Sequence, residues 1–274
     1  MNPTNGKIRK EHHRLRPLVP LGSAIVFLVA LGVITRTLKA VDLQDLLMEL
    51  SQVGRWSLVC ALGLTVLSYV IMTGYDHLGI RYVGHSLGIC KVTFFSLLGY
   101  AFSNSLGTPL GAGTVRLRIY SGWGLPGGKI LSLLFFTSSS AFLGLVVLAG
   151  IVLLCNPITE AVDLPLSGST LLVGLVLLSL VGFYLAMCGW WRRTIHIHTW
   201  SFQLPGGKLA CGQLVVGSLD WFVAALVLYV LLIPTADVPF ATFFAVFLLA
   251  QLLGIASNVP GGLGVFDSVL LQML

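Results

Sequence analysis

Charge is what this sequence has least of: only 9% of its 274 residues are Asp, Glu, Lys or Arg, while 56% are hydrophobic. A soluble domain of this length needs a charged surface, so the balance excludes one and indicates an integral membrane protein. Acidic residues are scarcer than basic ones, 10 against 16. The resulting net charge of +6 does not point to nucleic acid, because the basic residues lie in short loops between apolar runs and form no stripe. Membrane topology accounts for it instead. Cysteine is thin as well. Cys60, Cys90, Cys155, Cys188 and Cys211 are odd in number and include no Cys-x-x-Cys pair, which argues against a disulfide framework and a zinc site. His196 and His198 alternate in a polar loop and read as a solvated interfacial pair rather than metal ligands. The G-x-x-x-x-G-K-[ST] spacing of a P-loop is not met, and the absence of H-E-x-x-H weakens an intramembrane hydrolase. No cofactor or metal is expected.

What the chain does contain is organised around Ser257-Asn258-Val259-Pro260-Gly261-Gly262-Leu263-Gly264, which follows the apolar run 240–256 and precedes a second apolar run from Val265. A proline and three glycines cannot carry a helix through a bilayer, and freed backbone groups at that depth need cover from protein or a wet cavity. The segment therefore reads as the tip of a membrane-buried hairpin. A looser copy occurs earlier: Gly99-Tyr100-Ala101-Phe102-Ser103-Asn104, then Gly107, Pro109, Gly111 and Gly113. Paired Gly/Pro-interrupted segments in corresponding halves are a pointer to a transport site.

Taken in order, a basic N-terminus over 1–17 leads into an apolar run at 18–34, read as a retained first helix rather than a cleaved signal. Residues 42–50 have amphipathic spacing and suit the membrane surface. Full spans are expected near 56–75, 130–154, 170–189 and 209–233. The run 92–106 is about 15 residues, or roughly 23 Å of helix, short of a comfortable crossing. Leu125-Pro126-Gly127-Gly128-Lys129 and its repeat Leu204-Pro205-Gly206-Gly207-Lys208 read as helix-opening turns. The chain stops in an apolar run, which reads as a second hairpin cut short.

Positive charge decides the topology. If 92–106 dips in and returns, 13 of the 16 Lys and Arg fall on the cytoplasmic side, together with the N-terminus. If it crosses, the loop with Arg192, Arg193 and Lys208 becomes external and the loop 156–167, which has neither Lys nor Arg, becomes cytoplasmic. The first arrangement obeys the positive-inside bias, and it makes two hairpins approach the midplane from opposite faces. The expected fold is thus an all-α polytopic membrane protein: about five full spans plus two opposed re-entrant helical hairpins, near 91–128 and 239–274, in one domain over 18–274.

Several motifs resemble the transmembrane region of the lysylphosphatidylglycerol synthase/flippase family, the membrane half of the bacterial multiple peptide resistance factor and its stand-alone relatives. They are Val259-Pro260-Gly261-Gly262-Leu263-Gly264-Val265-Phe266 with an acidic residue next, Tyr100-Ala101-Phe102-Ser103-Asn104, Gly113-Thr114-Val115-Arg116-Leu117-Arg118-Ile119-Tyr120-Ser121-Gly122-Trp123-Gly124-Leu125, and Tyr75-Asp76-His77-Leu78 with Arg81-Tyr82. The resemblance covers most of the chain from about residue 70. The family usually has Glu where this chain has Asp267, which keeps the carboxylate but shortens its reach. What the resemblance implies is handling or translocation of a phospholipid between leaflets of the bacterial inner membrane. The best-known case is an aminoacylated phosphatidylglycerol, linked to resistance against antimicrobial peptides. No soluble transfer domain is present in this sequence, so synthase activity does not carry over. The alternative is a lipid-presenting partner of a separate lipid-modifying transferase, and a homo-oligomer stays open.

A head group bearing a phosphate and an amine needs an anion site and carboxylates. Expected substrate-binding residues are Asn104, Arg116, Arg118, Tyr120, Asp220, Asn258, Gly261, Gly262 and Asp267, with Asp76 and Arg81 as a gate. Arg116 and Arg118 can make bidentate contacts to phosphate, or merely fix orientation from the interface. Asp220 lies near the middle of its span, where a carboxylate costs at least about 2.5 kcal/mol. It has either a head-group or proton role or a hydrogen bond to Gln213 or the Thr137 to Ser140 cluster. Asp267 is expected to face the same cavity. Asp76 is either a gate or an interfacial carboxylate paired with Arg81. Asn104 and Asn258 are expected to cap the broken backbones.

Overall fold

The structure is a computed structural model that describes residues 53–106, 116–155, 167–190, 194–197, 200–232, 238–257 and 264–273. The basic N-terminus, the expected first span and the amphipathic segment lie outside these residues, as do the two expected hairpin tips at 107–115 and 258–263. The chain divides into Met1–Gly54 and Arg55–Leu274, and the second unit is the one built here. Its elements are α1 (Arg55–Tyr82), α2 (Ile89–Leu106), α3 (116–122), α4 (Gly127–Cys155), α5 (Ser167–Trp190), β1 (Thr194–Ile197), β2 (Trp200–Gln203), α6 (Gly207–Leu232), α7 (Phe240–Ala256) and α8 (Val265–Met273).

Among the described residues four helices, α1, α4, α5 and α6, are long and apolar enough to cross a membrane. The 28 residues of α1 reach about 42 Å, more than the roughly 30 Å thickness of a hydrocarbon core. Both Leu-Pro-Gly-Gly-Lys repeats open helices, as expected. Lys129 N donates to Pro126 O at 2.9 Å, and Leu209 N donates to Gly206 O at 2.8 Å. The end of α1 is set by Gly84, whose φ of 64° lets His85 N donate back to Ile80 O at 3.2 Å. Gly124, at φ 81°, ends α3 in the same way through Leu125 N and Tyr120 O.

Contacts along the helices give their directions. Leu78 meets Gly212, Gly74 meets Val216 and Ser68 meets Asp220, so α1 and α6 are antiparallel. Gln213 reaches Ser140 and Trp221 reaches Ala141, so α4 and α6 are parallel. Their closest approach is backbone on backbone, at Gly144 and Gly217.

Both short apolar segments fold back. Phe95 of α2 packs edge-on against Trp123 at 4.5 Å, while Arg116 lies 4.4 Å over the ring of Tyr100, so α3 returns alongside α2. Phe266 of α8 packs against Phe247 of α7 at 5.8 Å. The two hairpins start from opposite ends of the bundle. His77, near the finish of α1, is 3.0 Å from Thr93 at the start of α2. Tyr229, near the finish of α6, donates to Val238 O at 3.0 Å, just before α7. Since α1 and α6 are antiparallel, these ends are opposed. Each hairpin is anchored by its own apolar cluster, one around Ile80, Tyr120, Ile130 and Leu133, the other around Leu145, Phe243 and Phe247.

One part departs from the all-helical expectation. The stretch read as a polar loop contains an antiparallel ladder, with Thr194 opposite Gln203 and Ile197 opposite Trp200. Its alternating Ile, Trp and Phe suit a pleated ribbon, so the signal was present but local.

Candidate functional site

Consecutive residues on a helix point about 100° apart, and at Tyr75-Asp76 this difference serves two neighbouring helices. Asp76 is fully buried and faces the first hairpin. Ser96 Oγ of α2 donates to its Oδ2 at 2.6 Å and Arg116 Nη2 of α3 at 2.7 Å, while the Tyr120 hydroxyl donates to Oδ1 at 3.3 Å. Arg116 is 5% exposed, so this is a desolvated ion pair. Such a pair persists only when hydrogen bonds satisfy the remaining lone pairs, which Ser96 and Tyr120 do. The guanidinium is not saturated: Arg116 Nε is buried and has no hydrogen-bond partner among the described residues. Beneath it lies the Tyr100 ring, a favourable face for a cation.

Tyr75 turns the other way. Its hydroxyl donates to Asp220 Oδ2 of α6 at 3.0 Å, and Ser68 Oγ, two turns earlier on α1, donates to Oδ1 at 3.4 Å. Asp220 is 7% exposed, and among the described residues no cation pairs with it. The Tyr75 and Tyr100 rings lie 6.3 Å apart. A chain of contacts therefore runs Asp220, Tyr75, Tyr100, Arg116, Asp76 from the span α6 through the span α1 to the first hairpin.

Three expectations change. Asp76 neither ends its span nor pairs with Arg81: α1 continues to Tyr82, Arg81 is exposed, and Asp76 is held by Arg116. Asp220 does not bond Gln213 or the serine cluster. Gln213 is occupied by Ser140 at 2.9 Å and by the Tyr184 hydroxyl at 2.6 Å. Asp267 is exposed and accepts from Gly264 N at 3.3 Å, a local bond that closes the first turn of α8. Arg118 is exposed, one residue-pair step along α3 from buried Arg116. Tyr120 is buried, with its hydroxyl on Asp76. Asn104 lies in the last turn of α2, and its side chain, like Asn258, Gly261 and Gly262, lies outside the described residues.

Sequence reasoning passed over Ser68 and Ser96, and named Tyr100 only within a motif and not as a site residue. Ser96 and Tyr100 are four apart, on one helix face, which was the available signal. It also passed over Gly84-His85-Ser86-Leu87-Gly88, which has G-x-S-x-G spacing. A nucleophile elbow needs a strand before the serine and a helix after it. Here the motif joins two helices and Ser86 is exposed, so the spacing carries no elbow. Among the described residues no group of His, Cys, Asp and Glu is placed to hold a metal, and all five cysteines are free.

No family model matches the chain. It is 34% identical over 253 residues to the uncharacterized protein slr0712 of Synechocystis, covering 92% of this chain and 79% of that one. It is 30% identical over 271 residues to the inner membrane protein YbhN of Escherichia coli, covering 97% and 83%. Against the phosphatidylglycerol lysyltransferase of Staphylococcus aureus the identity is 28% over 262 residues, which spans 92% of this chain but 29% of that enzyme.

Proposed function

The chain belongs to the family of YbhN-like inner membrane proteins and the membrane regions of phosphatidylglycerol lysyltransferases, and on that premise we propose that it is a multi-pass inner membrane translocase for a phospholipid. The observation that carries the reading is the buried Asp76–Arg116 pair joined through two tyrosines to a second carboxylate, Asp220. A buried pair with a spare guanidinium N–H is suited to exchange. A lipid phosphate can take Arg116 from Asp76, with the planar fork engaging two oxygens. Asp76, released, and Asp220, which pairs with no cation among the described residues, are then available to an ammonium on the head group. The net charge of the site hardly changes during the swap, which lowers the barrier to a charged group in a dry interior. Opposed hairpins provide a route from each face, and the acyl tails stay in lipid. Aminoacylated phosphatidylglycerol fits this chemistry better than plain phosphatidylglycerol, because only the former carries an amine.

The test is leaflet-resolved lipid scrambling in proteoliposomes, comparing the two lipids for the parent chain, Arg116→Ala and Asp220→Asn. Acceleration by the parent and loss in either folded variant support the reading. A folded parent that moves neither lipid faster than empty vesicles overturns it. The lysyltransferase match favours a second reading, a subunit that presents lipid to a separate transferase. Copurification with such an enzyme, without scrambling, would select it.

A further inference from the structure

Away from the carboxylate track, a cavity of about 520 Å³ opens between α4, α5 and the β2–α6 turn, and it takes no part in the reading above. Its volume is within the range of ligand sites. Phe135, Ser139 and Phe142 line one wall at positions four and three apart on α4, Tyr184 of α5 lines another, and Pro205 and Gln213 complete it. At one end the Tyr82 hydroxyl donates to Gln203 O and the Tyr82 ring stacks on Phe136 at 4.7 Å.

The polar atoms at the floor are already satisfied. Gln213 donates to Ser140 and accepts from Tyr184, and Ser139 Oγ donates to Phe136 O at 2.9 Å. The floor between α4 and α5 is thus satisfied internally, and most of the remaining lining is apolar. Meanwhile Phe135 and Phe142 are 59% and 54% exposed on a helix that crosses the membrane, so the open side faces hydrocarbon. From position 135 to 142 the slot follows α4 for about 10 Å, starting at the end of the bundle where α4 begins.

We propose that this cavity is a seat for one acyl chain of a membrane lipid, entering sideways past Phe135 and Phe142 from the leaflet at the α4 start. The seat does not depend on translocation. It holds the chain by van der Waals contact, the force available between apolar groups inside a bilayer. A bound chain would brace α4, α5 and the β-hairpin against each other.

The experiment uses the full chain in nanodiscs containing phosphatidylglycerol with a photoactivatable diazirine in mid-chain, followed by mass-spectrometric mapping of adducts. The reference is the exposed α5 face at Leu172 and Leu175, which contacts bulk lipid. The expected result is labelling concentrated on residues 135–143, saturating at low probe fraction. Leu143→Trp, which fills the cavity, lowers that labelling about tenfold and leaves the α5 reference unchanged. Equal labelling of the two faces in the parent chain overturns the proposal without any variant. So does a Ser139→Cys chain that cross-links to a second copy, which would make the open side a protein interface.

Discussion

Tyr75 and Asp76 are adjacent on α1 yet bind opposite partners, Tyr75 donating to Asp220 of α6 at 3.0 Å and Asp76 accepting from Arg116 of α3 at 2.7 Å. One helical step thus ties a membrane-spanning helix to the first hairpin. Displacing α3 at one side of this step reaches Asp220 at the other through a few side chains.

The Asp76–Arg116 pair should be necessary as a pair. Asp76→Ala or Arg116→Ala strands a buried charge and is expected to destabilise by about 3–5 kcal/mol. The double substitution Asp76→Leu with Arg116→Met should recover most of that stability, measured by thermal unfolding in nanodiscs. It should not recover lipid scrambling. Recovery of both would assign the pair to folding alone.

Asp220 should separate folding from transport. Asp220→Asn keeps an oxygen for the Tyr75 hydroxyl and removes only the charge, so stability should change by about 1 kcal/mol or less. Scrambling of an amine-bearing lipid should fall while the unfolding midpoint holds. Tyr75→Phe, which removes the donor, should show the reverse weighting.

Glycine at the α4–α6 contact is a steric requirement. A Cβ on Gly217 would collide with Ser140 O and the Gly144 backbone, so Gly217→Ala should cost about 1–3 kcal/mol as the helices part. Gly63, on the same bundle, has nothing within 4 Å of its would-be Cβ. Gly63→Ala should be neutral or stabilising by about 0.5–1 kcal/mol. Equal losses at both would contradict the close approach.

Asp267 should matter little. With its carboxylate exposed and bonded only to Gly264 N among the described contacts, Asp267→Ala should change stability by about 1 kcal/mol at most and leave scrambling intact. A transport defect in a stable Asp267→Ala chain would return the residue to the substrate path.

The sidedness inferred from charge can be read with native thiols. Cys90, at the start of α2, and Cys155, at the finish of α4, are both exposed and sit at opposite ends of the bundle. In vesicles of known orientation, a membrane-impermeant maleimide should reach a Cys90-only chain from the cytoplasmic face and a Cys155-only chain from the other. The opposite pattern would invert the topology.

Membrane class, the positions of the spans 56–75, 130–154, 170–189 and 209–233, and the two helix breaks were legible in the sequence because each rests on local chemistry. Long apolar runs have no other stable use, and Gly/Pro clusters end helices wherever they stand. The charge bias gave the expectation of two hairpins entering from opposed faces, and among the described residues the antiparallel packing of α1 and α6 starts α2 and α7 at opposite ends of the bundle. What only the tertiary structure decided is which polar groups meet. Asp76 and Arg116 are 40 residues apart, and Tyr75 and Asp220 are 145. In a soluble helix an apolar stripe marks the inner face, but here the lipid-facing side is as apolar as the core, so residue spacing says little about rotation. The pairing of Asp76 with Arg116 rather than Arg81, and of Asp220 with Tyr75 rather than Gln213, was therefore settled by how the helices turn when they pack.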